Sequence, residues 1–227
     1  MRGHIGRLIA QGEHQTLDFK FALNDARKIS RSLVAFANTD GGRLLVGVKD
    51  NGKVAGVDSE EEIYMVEAAA QVYSTPEIPV RAVSHRVDEK TVLEVIIEPS
   101  EEKHFTKEED GRNIAYIRKD DMNLKANPVL LRIWKLEKSK KTGRFRYGQK
   151  EIALFNHLRE NGSIGFKKYC RITKQHYRKA TEKLADLVRW GVLDMEIDEQ
   201  GTRYVIGEDY DRAMESAEMD PISGQGR

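Results

Sequence analysis

Residues 34–48 read VAFANTDGGRLLVGV, and this stretch decides how the first half of the chain is interpreted. Its first four residues are the end of a longer segment, Asp25 to Ala37, in which apolar residues recur at helical spacing. The segment from Asn38 to Gly42 breaks that pattern, because Asn and Gly tolerate left-handed backbone conformations. A short apolar run, Leu44 to Val48, follows. The stretch therefore predicts a helix, a tight loop and a buried strand in direct succession.

Helix-like and strand-like segments alternate up to about residue 137. Asn51-Gly52 is typical of a β-hairpin turn. Ser59 and Glu62 have the spacing of a capping box, which predicts the start of another helix. Because helices are mixed with hairpins, the pattern predicts an α+β fold rather than a doubly wound parallel sheet.

Charge is distributed unevenly along the 227 residues, although 38 basic and 37 acidic side chains nearly balance. Between Arg132 and Trp190 there are 17 Lys or Arg and only 5 Asp or Glu. A basic segment attached to an acidic body favours a nucleic-acid partner over a merely solvated helical face. The single cysteine, Cys170, excludes an internal disulfide framework. We expect a cytoplasmic protein without a membrane partner, since neither a secretory signal nor a long apolar run is found.

The second half is expected to form a separate module. Residues 138–148 are predicted to be a basic linker, 149–207 a winged helix-turn-helix, and 208–227 an acidic, disordered tail. The order of predicted elements is helix, short helix, long helix and hairpin. Thr173 is predicted to be the N-cap of the long helix, and Tyr177 to belong to its buried stripe.

Several polar side chains of this module are candidates for nucleic-acid contact, either with phosphates or with base edges. They are Arg144, Arg146, Lys167, Lys168, Lys174, Gln175 and Arg178. The predicted hairpin tip at 198–200 is acidic, whereas a phosphate-contacting wing favours Lys or Arg. Since winged helices also mediate protein docking, a protein-interaction module remains an alternative.

The block at 34–57, the opening EHQTLDFK at 13–20 and the strand at 115–118 resemble the Schlafen/AlbA-2 domain family. The resemblance covers about residues 9–134. It implies that residues 1–137 form an α+β, nucleic-acid-related domain of the kind that is often followed by a helix-turn-helix in bacteria. Many members are labelled as DNA-binding or as transcriptional regulators. Some are labelled ATP-binding, but neither a P-loop nor a G-x-G-x-x-G motif occurs in this sequence.

The resemblance also implies a second function. Animal Schlafen relatives are similar to metal-dependent ribonucleases, and their acidic triad corresponds to Glu13, Asp18 and Asp50, with Lys20 beside it. Mg²⁺ or Mn²⁺ would then be the metal held by these carboxylates, because hard cations prefer carboxylate oxygens. A straight strand would separate Glu13 from Asp18 unless a turn intervenes. Asp50 equally suits a turn residue that bonds its own backbone.

Three hypotheses follow, in order of preference. The chain is a DNA-binding transcriptional regulator, a metal-dependent ribonuclease acting on structured RNA, or a protein-interaction module. No cofactor is certain, and the six histidines show no metal-ligand spacing. We expect a homodimer, since DNA-binding proteins of this size often bind two half-sites as a dimer.

Overall fold

The computed structural model describes residues 3–57, 59–137, 145–215 and 218–219. The chain divides into two units, Met1–Ala126 and Asn127–Arg227. The sequence pattern assigned residues up to 137 to the first domain, so the boundary observed here lies earlier. The reason is that the helix Pro128–Glu137 packs within the second unit, where Val129 is fully buried in the core.

The first unit contains three helices and nine strands among its described residues. Its helices are α1 His4–Ile9, α2 Ala26–Ala37 and α3 Ser59–Glu67, the last continuing as a π-helical turn, Ala68–Val72. Its strands are β1 Leu17–Lys20, β2 Gly42–Val46, β3 Ser74–Thr75, β4 Val80–Val87, β5 Lys90–Ile97, β6 Phe105–Lys107, β7 Asn113–Ile114, β8 Tyr116–Lys119 and β9 Met122–Lys125.

A four-stranded sheet organises this unit, in the order β1-β2-β5-β4. Strand β1 runs parallel to β2, and the other neighbours are antiparallel. Smaller sheets are formed by β3, β6 and β7 and by the β8–β9 pair. The mixture of helices with parallel and antiparallel pairs confirms the predicted α+β class.

Apolar side chains cover both faces of the four-stranded sheet. On one face, α2 and α3 pack against the sheet, with Leu33 and Phe36 fully buried. On the other face, Ile5 and Ile9 of α1 cover Leu45 of the sheet. The sheet is therefore a central layer, and polar side chains inside it need partners of their own.

The loop after α2 is shaped by Asn38 and Gly41. The Asn38 amide donates 2.9 Å hydrogen bonds to the carbonyls of His104 and Tyr116, and its Oδ1 accepts one from the His104 N–H. Gly41 has a φ of +69°, and a Cβ there would lie 2.7 Å from the Ile97 carbonyl oxygen. Only glycine fits that position without displacing β5. These residues therefore have a structural explanation in the loop.

The second unit is built from a helical layer and a three-stranded sheet. Its helices are α4 Pro128–Glu137, α5 Gln149–Asn161, α6 Phe166–Thr173, α7 Tyr177–Arg189 and α8 Tyr210–Glu215. Its strands are β10 Arg146–Tyr147, β11 Ile164–Gly165, β12 Leu193–Asp198, β13 Gly201–Ile206 and β14 Glu218–Met219. The sheet order is β11-β13-β12, and β10 pairs with β14.

The start of α7 differs from the prediction. Thr173 is the last residue of α6 rather than an N-cap, because its Oγ1 donates back to the Tyr169 carbonyl at 2.8 Å. Lys174 then adopts a left-handed conformation, φ +52°, and α7 begins at Tyr177. The Tyr177 side chain is 59% exposed, so it does not belong to the buried stripe.

Part of the segment predicted to be a disordered tail is helical. Helix α8 packs through Tyr210, whose ring centroid lies 4.8 Å from that of Phe155. Arg159 Nη2 also donates a 2.9 Å hydrogen bond to the Tyr210 hydroxyl. The rest of that tail beyond 219, and most of the predicted linker, at 138–144, lie outside the described residues. No helix in the described ranges is both long enough and apolar enough to cross a bilayer.

Candidate functional site

Glu13 and Asp18 lie together at the start of β1. A tight turn closes between His14 and Leu17, whose backbone groups exchange hydrogen bonds of 2.9 and 3.1 Å. The turn brings Glu13 alongside β1, where its Oε1 accepts a 2.8 Å hydrogen bond from the Phe19 N–H. The Asp18 carboxyl is close enough to raise the pKa of the Glu13 carboxyl. The turn thus joins two side chains that strand alternation would have separated.

Two cations hold the Asp18 carboxylate, which is 3% exposed. Lys20 Nζ lies 2.8 Å from Asp18 Oδ2, and Arg118 Nη2 lies 3.4 Å from Asp18 Oδ1. Arg118 is itself 2% exposed, and its Nη1 donates a 3.0 Å hydrogen bond to Asn123 Oδ1. The sequence interpretation placed Arg118 in the closing strand but did not propose it as a site residue. Its signal was a cation next to the largely apolar segment 114–117, but its acidic partner is 100 residues away.

Asp50 does not join this pair. It is exposed in the turn between Val48 and Val54, which form an isolated bridge. Among the described residues, no cluster of three ligand atoms within 4.8 Å includes Glu13, Asp18 and Asp50. A Mg²⁺ or Mn²⁺ ion prefers several free oxygen ligands, whereas both Asp18 oxygens face cations. The described arrangement therefore does not fit a three-carboxylate metal site.

Glu13 should make folding stability depend on pH. Burial, together with the neighbouring Asp18 carboxyl, raises the pKa of the Glu13 carboxyl above its ordinary value of 4.5. A raised carboxyl pKa means that the folded state favours the protonated form. The stability that this provides is complete below the unfolded-state pKa and is lost as the pH rises through the folded-state pKa.

We therefore expect Glu13→Gln to remove this loss, since the amide stays neutral and its oxygen still accepts from Phe19. Thermal unfolding followed from about pH 4 to about pH 7 measures the effect. The melting temperature of the wild type should fall relative to that of the variant as the pH rises. The exposed Glu77→Gln should follow the wild type. A constant difference between wild type and Glu13→Gln over the whole range would contradict the assignment.

Six exposed cations of α6, α7 and the turn between them form what we call the basic surface. They are Lys167, Lys168, Arg171, Lys174, Arg178 and Lys179. Arg178 pairs with Glu182 at 3.4 Å. The other five make no ion pair within the part of the chain that the structure describes. Their charge is therefore available to an external polyanion.

The remaining predicted contact residues are distributed differently. Arg146 is exposed in β10, outside the basic surface, and Arg144 lies outside the described residues. Gln175 is half-buried, and its Oε1 accepts a 3.4 Å hydrogen bond from the Tyr169 hydroxyl. Of the seven predicted residues, Lys167, Lys168, Lys174 and Arg178 fall on the basic surface.

One side of α7 is occupied by α4, which the sequence interpretation placed in the other domain. Arg189 Nη2 donates a 2.8 Å hydrogen bond to the Leu136 carbonyl, and the two helices flank a groove of about 500 Å³. Arg178 and Thr181 line this groove together with Leu131. Helix α4 therefore lies along one side of α7, from its first turn to Arg189.

One of the two acidic side chains at the hairpin tip, Asp198, is paired within the hairpin. Asp198 Oδ1 accepts hydrogen bonds from the backbone N–H groups of Gln200 and Gly201, at 2.8 and 3.1 Å. Asp198 Oδ2 lies 2.6 Å from Arg203 Nη2. The tip is therefore less repulsive to a phosphate than its sequence indicates.

Residues 13–127 match the family model described as Schlafen, AlbA_2. Among solved structures, the DIP2311 protein from Corynebacterium diphtheriae is similar, with 16% identity and a TM-score of 0.43, over 85% of this chain and 34% of that one. The N-terminal domain of a RecG-related protein from Nitrosomonas europaea is similar with 22% identity and a TM-score of 0.35, over 44% of this chain and 74% of that one. The chain thus spans about a third of the Corynebacterium protein. No curated protein matches it.

Proposed function

Because the chain belongs to the Schlafen, AlbA_2 family, we propose that it binds nucleic acid and acts as a DNA-binding transcriptional regulator. The observation that carries the proposal is the basic surface of the second unit. Five of its cations lack an ion-pair partner among the described residues, and four of the six lie on α6 or directly after it. Such a concentration of positive charge favours a phosphate backbone as ligand.

The order of elements in the second unit supports a winged helix. Helix α5, strand β11, helices α6 and α7, and the β12–β13 hairpin follow one another, and the three strands form one sheet. In a module of this type, α7 is the recognition helix and its N-terminal residues approach the major groove. Lys174 lies in the turn just before α7, on the side of that helix from which such an approach would come.

Salt dependence of duplex binding tests the proposal. We expect fluorescence anisotropy with a labelled DNA duplex to show a log–log slope of affinity against salt of about −4 to −5, since about five phosphates would be contacted. A library of duplexes should contain a site that is bound more tightly than the others. Absence of binding at low salt, or binding that salt leaves unchanged, would contradict the proposal.

A metal-dependent ribonuclease is the second candidate, and the adjacency of Glu13 and Asp18 is the observation that favours it. Two features argue against it: both oxygens of Asp18 face cations, and Asp50 lies apart from the pair. Incubation with tRNA, with and without Mn²⁺, separates the two functions. Cleavage that requires Mn²⁺ and is lost in Asp50→Ala would establish the nuclease. If the chain neither binds DNA nor cleaves RNA, the protein-interaction module is favoured.

We also propose that the chain acts as a homodimer, since two copies would place two basic surfaces on one duplex. Light scattering of the chain alone and with duplex tests this. A monomeric chain when alone, together with one chain per duplex in the complex, would contradict the proposal.

A further inference from the structure

A second polar cluster lies on the face of the sheet that α1 covers. Its centre is Glu94 of β5, whose side chain is 3% exposed. His85 Nε2, from β4, lies 2.8 Å from Glu94 Oε2, and His4 Nε2, from α1, lies 3.0 Å from the same oxygen. Arg43, from β2, donates through Nε to Glu94 Oε1 at 2.9 Å. Both histidines therefore contact Oε2, and Oε1 accepts from Arg43 and also lies 3.1 Å from His4 Nε2.

His4, His85 and Glu94 together offer the ligand atoms of a transition-metal site. The two imidazole nitrogens and the carboxylate oxygen lie within 4.8 Å of one another. Two imidazoles with one carboxylate are a donor set that suits Zn²⁺ and neighbouring divalent first-row metals, whereas Mg²⁺ prefers oxygen alone. Metal–ligand bonds of about 2.0–2.2 Å in a tetrahedron separate the ligand atoms by about 3.3 Å. The observed 2.8 and 3.0 Å need to widen only by a few tenths of an ångström.

The two histidine donors are accessible. The side chain of His4 is 45% exposed and that of His85 is 26% exposed. The site is therefore accessible to water, and His4 has room to adjust.

We propose that His4, His85 and Glu94 bind one divalent transition-metal ion of the Zn²⁺ class, with water as a further ligand. Arg43 is a positioning residue, because its hydrogen bond orients the carboxylate and leaves Oε2 for the ion. The ion would join α1 to β4 and β5. Helix α1 precedes the turn that carries Glu13, so the metal would fix the segment leading into the acidic pair. The inference does not depend on the proposed DNA binding.

Metal titration of the full chain, without an affinity tag and stripped with a chelator, tests the proposal. We expect calorimetry with ZnCl₂ to give one ion per chain, and Co²⁺ to give visible absorption bands that Zn²⁺ removes. His4→Ala, His85→Ala and Glu94→Gln should each weaken Zn²⁺ binding at least about tenfold. His176→Ala is the matched control, because that histidine is exposed in the second unit and makes no side-chain cap bond.

Two results would overturn the proposal. One is a wild type that gives neither binding heat nor Co²⁺ bands. The other is a His4→Ala variant that binds as tightly as His176→Ala. His4 decides the outcome even if the variants of the more buried donors fail to fold, because its half-exposed ring can be removed without opening the core. Circular dichroism of each variant identifies such failures.

Discussion

Replacing Arg118 by methionine is expected to lower the free energy of unfolding by about 3–5 kcal/mol. The substitution keeps a long side chain but removes the guanidinium that faces Asp18 and Asn123. Asp18 then stays buried with Lys20 as its remaining cationic partner, and desolvation of its charge is poorly compensated. Urea denaturation measures the loss as a shift of the midpoint.

Two comparisons make this prediction specific. Arg112→Met removes an arginine that is 71% exposed and pairs with Asp110, so it should cost far less than Arg118→Met. The double variant Asp18→Asn with Arg118→Met should cost less than the sum of the two single variants, because it removes both charges of the pair. If Arg118→Met and Arg112→Met cost the same, the buried pair does not stabilise the fold.

Changing four cations of the basic surface to glutamine is expected to abolish most of the salt-dependent DNA binding. The four residues are Lys167, Lys168, Arg171 and Lys174. If five phosphates are contacted, wild-type affinity should fall by about 500-fold between 50 and 200 mM salt, following a slope of about 0.9 per contact. The variant, left with one contact, should fall only about fourfold. Anisotropy titrations at the two salt concentrations measure the difference.

The matched control carries four glutamines at exposed cations of the first unit. These are Lys53, Arg81, Arg86 and Lys119. The control changes the net charge equally but leaves the basic surface intact, so its salt dependence should remain that of the wild type. Equal loss in both variants would mean that binding follows net charge alone and has no defined surface.

Local patterns predicted the elements whose signals lie within a few residues. Helix α2 begins after Asp25, whose side chain accepts from the N–H groups of Arg27 and Lys28, and it ends at the predicted loop. The start of α7 and the assignment of α4 were predicted wrongly, because both depend on tertiary packing. Threonine is a common N-cap residue, but Thr173 is buried and its hydroxyl donates to the Tyr169 carbonyl within α6. The assignment of α4 depended on which core received Val129, and no local pattern decides that.

The candidate sites show the same division. Four of the six residues of the basic surface were predicted, because they are close in sequence, on two successive helices and the turn between them. The cluster around Glu94 was not predictable from the sequence. Its histidines are 81 residues apart and come together only through the sheet register and the docking of α1. The available signal was one charged residue, Glu94, in the middle of the apolar run 92–97. Such an isolated charge in a buried strand indicates that partners will be found elsewhere.

The packing of α8 limits how far the chain can be shortened from its C-terminus. Ending it after the hairpin, at Gly207, would take away Tyr210 and uncover the ring of Phe155, which is otherwise fully buried. Such a fragment would expose aromatic surface and tend to self-associate in solution. Crystallisation or NMR of the isolated second unit is therefore best attempted on a piece that retains residues up to at least Glu215.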